Sequence, residues 1–216
     1  GLTKGDPTVF GDKVWNVYGY NKSDITLKTA VYAGYYVDPN PNANSTAFWT
    51  TTSSPSTASN WQGAPMPIDY FTVVSKRKGF ACGQYQIQVA NYDDDLQIFV
   101  DGIEVFYEKG NTDTPVLVKN GQIFSLNSKT EIEIRLKENA GGAKSSVIFI
   151  NVPNSGNGNA NGSALVISTN TELKADLTVC SCTVNDKVTL TVPKDITLTV
   201  DEDIKVLGEG KLLILN

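Results

Sequence analysis

Asp93, Asp94 and Asp95 stand side by side in a stretch otherwise made of alternating strand residues, and they are the densest chemistry in the chain. Three carboxylates offer only oxygen. Such a set suits a hard cation like Ca2+, which accepts roughly six to eight oxygens in a forgiving geometry. The same three residues also make an ordinary solvated turn between strands, and the residues alone leave both readings open. Adjacent carboxylates on one turn do not hold the two-sided arrangement that glycosidic displacement needs, so a carboxylate hydrolase is disfavoured.

The chain of 216 residues contains no histidine. That removes the usual general base, the Ser-His and Cys-His nucleophile pairs and the commonest transition-metal ligand. A binding module is expected rather than an enzyme. The net charge of −5 argues against nucleic acid, because no basic cluster exceeds Lys76-Arg77-Lys78 and a phosphate backbone needs a basic face. No apolar run is long enough to span a bilayer, so membrane insertion is not expected. Cys82, Cys180 and Cys182 permit at most one bridge. Cys180 and Cys182 are too close for an easy bridge and lack the second pair of a zinc site, so they are expected to be free or part-buried thiols.

Positioning these residues falls to β-strands. Gln84–Val89 alternates three glutamines with Tyr85, Ile87 and Val89, and Glu131–Leu136 alternates charge with Ile132, Ile134 and Leu136. Period-two alternation places each set on one face of a strand. Ser146–Val152 is more continuously apolar, as a strand buried on both faces would be. Asp101-Gly102 between two apolar strands signals a tight hairpin, because glycine accepts the positive φ such turns need. No segment has a helical period with caps, so the fold class is all-β. The tract from Asp38 to Gly63, rich in Pro, Asn, Ser and Thr, reads as a long surface loop. Trp49 and Trp61 within it either pin the loop to the body or offer stacking faces to a ligand.

Residues 154–162 are Asn, Gly, Ser and Ala, a composition that cannot bury apolar area and reads as a linker. It divides a domain at 1–153 from a β-rich segment at 163–216. There Val188–Val192, Ile196–Val200, Ile204–Val206 and Leu212–Ile214 recur about every eight residues, like the rungs of a β-solenoid. The last apolar strand runs to Asn216 without a visible polar cap, and a longer chain with neighbouring domains is expected.

The first domain resembles the protective-antigen-type (PA14) domain, a β-sandwich of bacterial toxins, yeast adhesins and glycosidase accessory modules. Ala33-Gly34-Tyr35-Tyr36 and Gly83–Ile87 look like two of its strands, and Asp93-Asp94 stands eight residues ahead of a Val-Asp-Gly turn at Val100-Asp101-Gly102, as in the family. Gly5–Gly11, Ser54–Ser59 and Lys76–Phe80 further resemble modules of very large surface adhesins of gliding Bacteroidetes. Those modules carry extra cysteines where this chain has Lys4 and Ala64, which leaves the partner of Cys82 open. The resemblance implies a cis Asp93–Asp94 peptide, with both carboxylates on one Ca2+ whose open positions take vicinal sugar hydroxyls. Asn139, in the later loop Glu138–Gly142, is the matching candidate ligand by loop position, and Asp95 a possible helper. The implied function is a calcium-dependent, carbohydrate-binding adhesion module, secreted or at the cell surface, with a glycan or cell-surface polysaccharide as partner. The alternative is a structural spacer or assembly unit of a surface filament.

Overall fold

The computed structural model describes residues 4–44, 49–50, 52–152 and 162–216. The described residues form β-strands joined by turns, with two short 3-10 turns at Pro55–Thr57 and Val118–Gly121, so the expected all-β class holds. Most of the Asn/Gly tract, 153–161, lies outside the described residues, and with it the expected domain boundary.

The chain divides into two compact units. The first carries a β-sandwich. One of its sheets runs in the order Gln62–Gly63, Tyr32–Asp38, Trp15–Tyr20, Thr72–Lys78, Glu131–Lys137, Asp95–Val100, Ile103–Glu108. The other has Gly83–Asp93 at its centre, with Asn111–Thr112 on one side and Lys144–Asn151 and then Ala43–Asn44 on the other. Alternation decides which side chains meet. Ile132, Ile134 and Leu136 from one sheet are buried, as are Ile87 and Val89 from the other, and Trp15 stacks on Phe149 with ring centroids 5.8 Å apart. Burial on both faces of the Lys144–Asn151 strand is confined to Ser146 and Val147, and Ile150 near its end is exposed. The hairpin at Asp101-Gly102 has φ of +48° and +78°, the left-handed pair that a two-residue turn between twisted strands requires.

The second unit comprises 80–85, 123–128 and 151–216. Phe124–Leu126 pairs there with Gly83, Gln84 and Tyr85. The rest is parallel. Ala164–Ile167, Leu177–Val184 and Leu198–Val206 form one sheet, and Thr171–Glu172, Thr189–Val192 and Lys211–Ile214 a second. Apolar residues line up across the turns: Leu165, Cys182 and Ile204 in one column, Ile167, Val184 and Val206 in another. Turn side chains tie each turn to the next, with Asn170, Asp176 and Asp186 accepting the backbone N–H of Thr189, Thr197 and Glu209. The two short strands expected at Ile196–Val200 and Ile204–Val206 are one strand, Leu198–Val206, which carries one extra residue between Val200 and Asp203 and so stays paired with the single strand Leu177–Val184.

Cys82 and Cys180 form a disulfide, which corrects the expectation of a free thiol at Cys180; only Cys182 is free, and it is buried. The signal at Cys180 was misread because its partner lies 98 positions away rather than nearby.

Candidate cation site at the acidic turn

The acidic turn is a crossing between sheets. Asp93 ends the strand Gly83–Asp93 and pairs with Asn111 in one sheet, while Asp95 begins the strand Asp95–Val100 and pairs with Lys137 in the other. Asp94 is the single residue between them, and the Asp93–Asp94 peptide is cis. The crossing leaves the Asp93 and Asp94 carboxyls within reach of each other and gives Asp95 separate partners. Asp95 is buried, with one oxygen 2.7 Å from Lys137 Nζ and the other accepting the Gly110 N–H at 3.0 Å. Each of its oxygens thus has a protein partner.

Asp94 meets the loop that follows Glu131–Lys137. Its N–H donates to the Lys137 carbonyl at 3.2 Å, and its Oδ2 accepts the Asn139 N–H at 2.7 Å. Further bonds hold this loop. Glu138 N–H donates to Phe71 O, Tyr70 N–H to Asn139 O, and Gly141 N–H to Asp69 Oδ1 at 2.9 Å. Asn139 therefore does reach the acidic pair, but through its backbone; its side-chain Oδ1 accepts the Ser23 hydroxyl at 2.8 Å.

Burial and the neighbouring Asp94 push the Asp93 carboxyl upward, against a smaller opposing pull from Lys144. Glu138, which sequence reasoning passed over, is more perturbed. It is completely buried and neither carboxylate oxygen has a hydrogen-bond partner. Burial, then Asp94, Asp93 and Asp69 in that order, push its carboxyl up to about 7. The signal was in the alternation: if Ile132, Ile134 and Leu136 face inward, so must position 138, and there the residue is an acid.

Trp49 and Trp61, expected either to pin the loop or to offer stacking faces to a ligand, both pack on the body of the domain. Trp49 is buried edge-on against Phe71, with ring centroids 5.8 Å apart, and its backbone bridges to Ala143. Trp61 donates its indole N–H to Ala64 O at 3.1 Å and lies over Gly19 and Gly34, where an added Cβ would meet the indole at 2.8 Å. Both pin the long loop to the sheet.

Among the described residues no three acidic or cysteine side chains converge as a finished cation shell. What the site has is carboxylate oxygens at Asp93 and Asp94 and, against Asp94, a buried Glu138 carboxylate that accepts no hydrogen bond. An all-oxygen set of that kind fits a hard divalent cation of the calcium class.

No family model matches the sequence, and no curated protein matches it. Among solved structures the chain is similar to the PA14 sugar-binding domain from an RTX adhesin, at 14% identity and a TM-score of 0.51, over 65% of this chain and 91% of that one. The fold is that of a PA14 domain. More distant likenesses are the PA14 domain of the MpAFP antifreeze protein (12% identity, TM-score 0.48, 72% of this chain and 90% of that) and the Epithelial Adhesin 9 A domain from Candida glabrata in complex with Galb1-3GlcNAc (12%, 0.45, 69% and 86%). At such identities what is shared is the fold.

Proposed function

We propose that the first unit is a calcium-dependent carbohydrate-binding module of the adhesion type, part of a large secreted or surface-displayed bacterial protein. The observation that carries the reading is the acidic crossing: Asp93 and Asp94 between two sheets, backed by a buried, unpartnered Glu138. Asp93 and Asp94 would hold the cation, with the Asn139 segment alongside. Bound calcium would supply open positions for a pair of sugar hydroxyls. The RTX adhesin neighbour is named as sugar-binding, and the Candida adhesin is described with a bound disaccharide, which supports a glycan as ligand. The Cys82–Cys180 bridge supports an oxidising, extracellular setting. No helix among the described residues is long and apolar enough to cross a membrane.

Calorimetry with Ca2+ tests the reading directly. The wild type should bind, and Asp93→Asn or Asp94→Asn should abolish binding; a flat wild-type titration removes the proposal. A glycan array read with calcium and with EDTA then tests the sugar.

The second reading, a spacer or assembly unit, draws on the second unit. Its middle-turn residues Cys182, Val184 and Val192 are buried, whereas their column mates Ile204, Val206 and Ile214 are 48%, 44% and 67% exposed. One more parallel turn of a β-solenoid would cover them. Calcium-independent glycan silence, together with burial of these residues in a longer chain, would favour the spacer.

A further inference from the structure

Glu138 poses a problem that the fold does not solve with its own charges. An ionised carboxylate removed from water needs a donor or a positive charge close by, and both Glu138 oxygens lack a partner. The nearest polar side chain is Asp94, within hydrogen-bonding reach, and the pair can share one proton at most; ionising both sets two like charges in contact. Asp93 and Asp69 are its other charged neighbours, and both are acids. Lys137 pairs with Asp95, and Lys144 pairs with Asp113 and pulls on Asp93; neither is among the groups acting on Glu138. Nor is the residue free to swing away, since its N–H is fixed to Phe71 O and the following Asn139 N–H to Asp94.

We propose that Glu138 is the third acidic member of the cation site, backing Asp94 so that the bound cation is also the counter-charge for Glu138. It is a positioning residue: it acts on the cation through Asp94 and the loop 138–142. The consequence is a two-sided effect. Without the cation, Glu138 destabilises the loop it begins; with the cation, it tightens binding. Cation occupancy and order in this loop are thereby coupled, the loop being stabilised by whatever neutralises its first residue.

The inference rests on the calcium reading above, and the experiment separates the two. Calcium affinity by calorimetry, confirmed by terbium luminescence, is compared with thermal midpoints in EDTA and in Ca2+ for the full chain. Glu138→Gln, which keeps shape and removes charge, should weaken Ca2+ binding at least tenfold, raise the midpoint in EDTA and shrink the gain on adding Ca2+. Glu138→Asp keeps the charge and should bind Ca2+ more tightly than the Gln variant. A merely structural glutamate would lower the midpoint in EDTA when replaced, the opposite sign. If the wild type binds Ca2+ and Glu138→Gln binds it within twofold, the role of Glu138 fails and the calcium reading stands. If the wild type binds no Ca2+, both fall.

Discussion

The parallel turns of the second unit and the acidic crossing of the first use the same backbone in opposite ways. In the parallel unit every turn finds its partners in the next turn along: Ile167 over Val184 over Val206, and Asn170, Asp176 and Asp186 each capping an amide one turn on. Polar groups are spent as they arise. At the crossing, partners come from far apart in the chain: Asp94 is met from Asn139, Asn139 from Ser23 and Tyr70, and Gly141 from Asp69. Pairing there stops one step short, at Glu138. Among the described residues, regular repetition leaves no buried side-chain polar atom without a partner in the parallel turns, whereas the irregular junction leaves the Glu138 carboxylate so. Binding chemistry is therefore expected at the crossing and not in the turns.

The strongest way to break this contrast is to loosen the second unit and watch the first. Replacing Cys82 and Cys180 by alanine removes a bridge closing a long loop and should cost about 3–4 kcal/mol of stability. Thermal unfolding should show it, and calcium calorimetry below the transition should not. Leu190→Ala, at a fully buried column position, should cost about 3 kcal/mol, while Leu213→Ala, half-exposed on the neighbouring turn, should cost under about 0.5 kcal/mol. Equal losses for the two would contradict the column packing. Asp95→Asn should destabilise the first unit by about 2 kcal/mol, because Lys137 loses its partner in a largely buried setting. The same variant should leave calcium affinity unchanged, unlike Asp94→Asn. If it abolished calcium binding, the three aspartates could no longer be divided by their partners.

The smallest effect concerns Asp24, beside the site. Hydrogen bonds from Thr26 and Thr29 hold its carboxyl well below the usual carboxylate range. A carboxyl depressed on folding contributes stability above its unfolded value of 3.8, and that contribution is lost as pH falls through the folded value. Asp24→Ala should lower the midpoint at pH 7 by roughly 2 °C, and by less as pH falls below the unfolded value. A difference that grew on acidification would reverse the sign.

Strand faces were legible wherever one side is wet, as in Gln84–Val89 and Glu131–Leu136, since period-two alternation is a local signal. The Asp101-Gly102 hairpin was legible for the same reason. The separate fates of Asp93 and Asp95 were not, because they depend on which sheet each residue joins, a long-range fact. Trp49 gave no clue to its burial against Phe71, and Cys180 none to its partner, since both contacts link segments that composition treats as unrelated. Asn139 was found by loop position; that it engages Asp94 by its backbone N–H rather than its amide is a matter of loop conformation. Glu138 lay within reach of the alternation already in hand.

The disulfide has one more consequence, which is mechanical. Cys82 and Cys180 enclose Asp93, Asp94 and the loop from Glu138 to Gly142 in a covalent ring. If the chain is pulled from its two ends, tension passes through the sulfur–sulfur link and bypasses everything between. The 98-residue span would otherwise pay out about 330 Å of slack when unravelled. Asp93, Asp94 and the loop from Glu138 to Gly142 thus lie off the line of force.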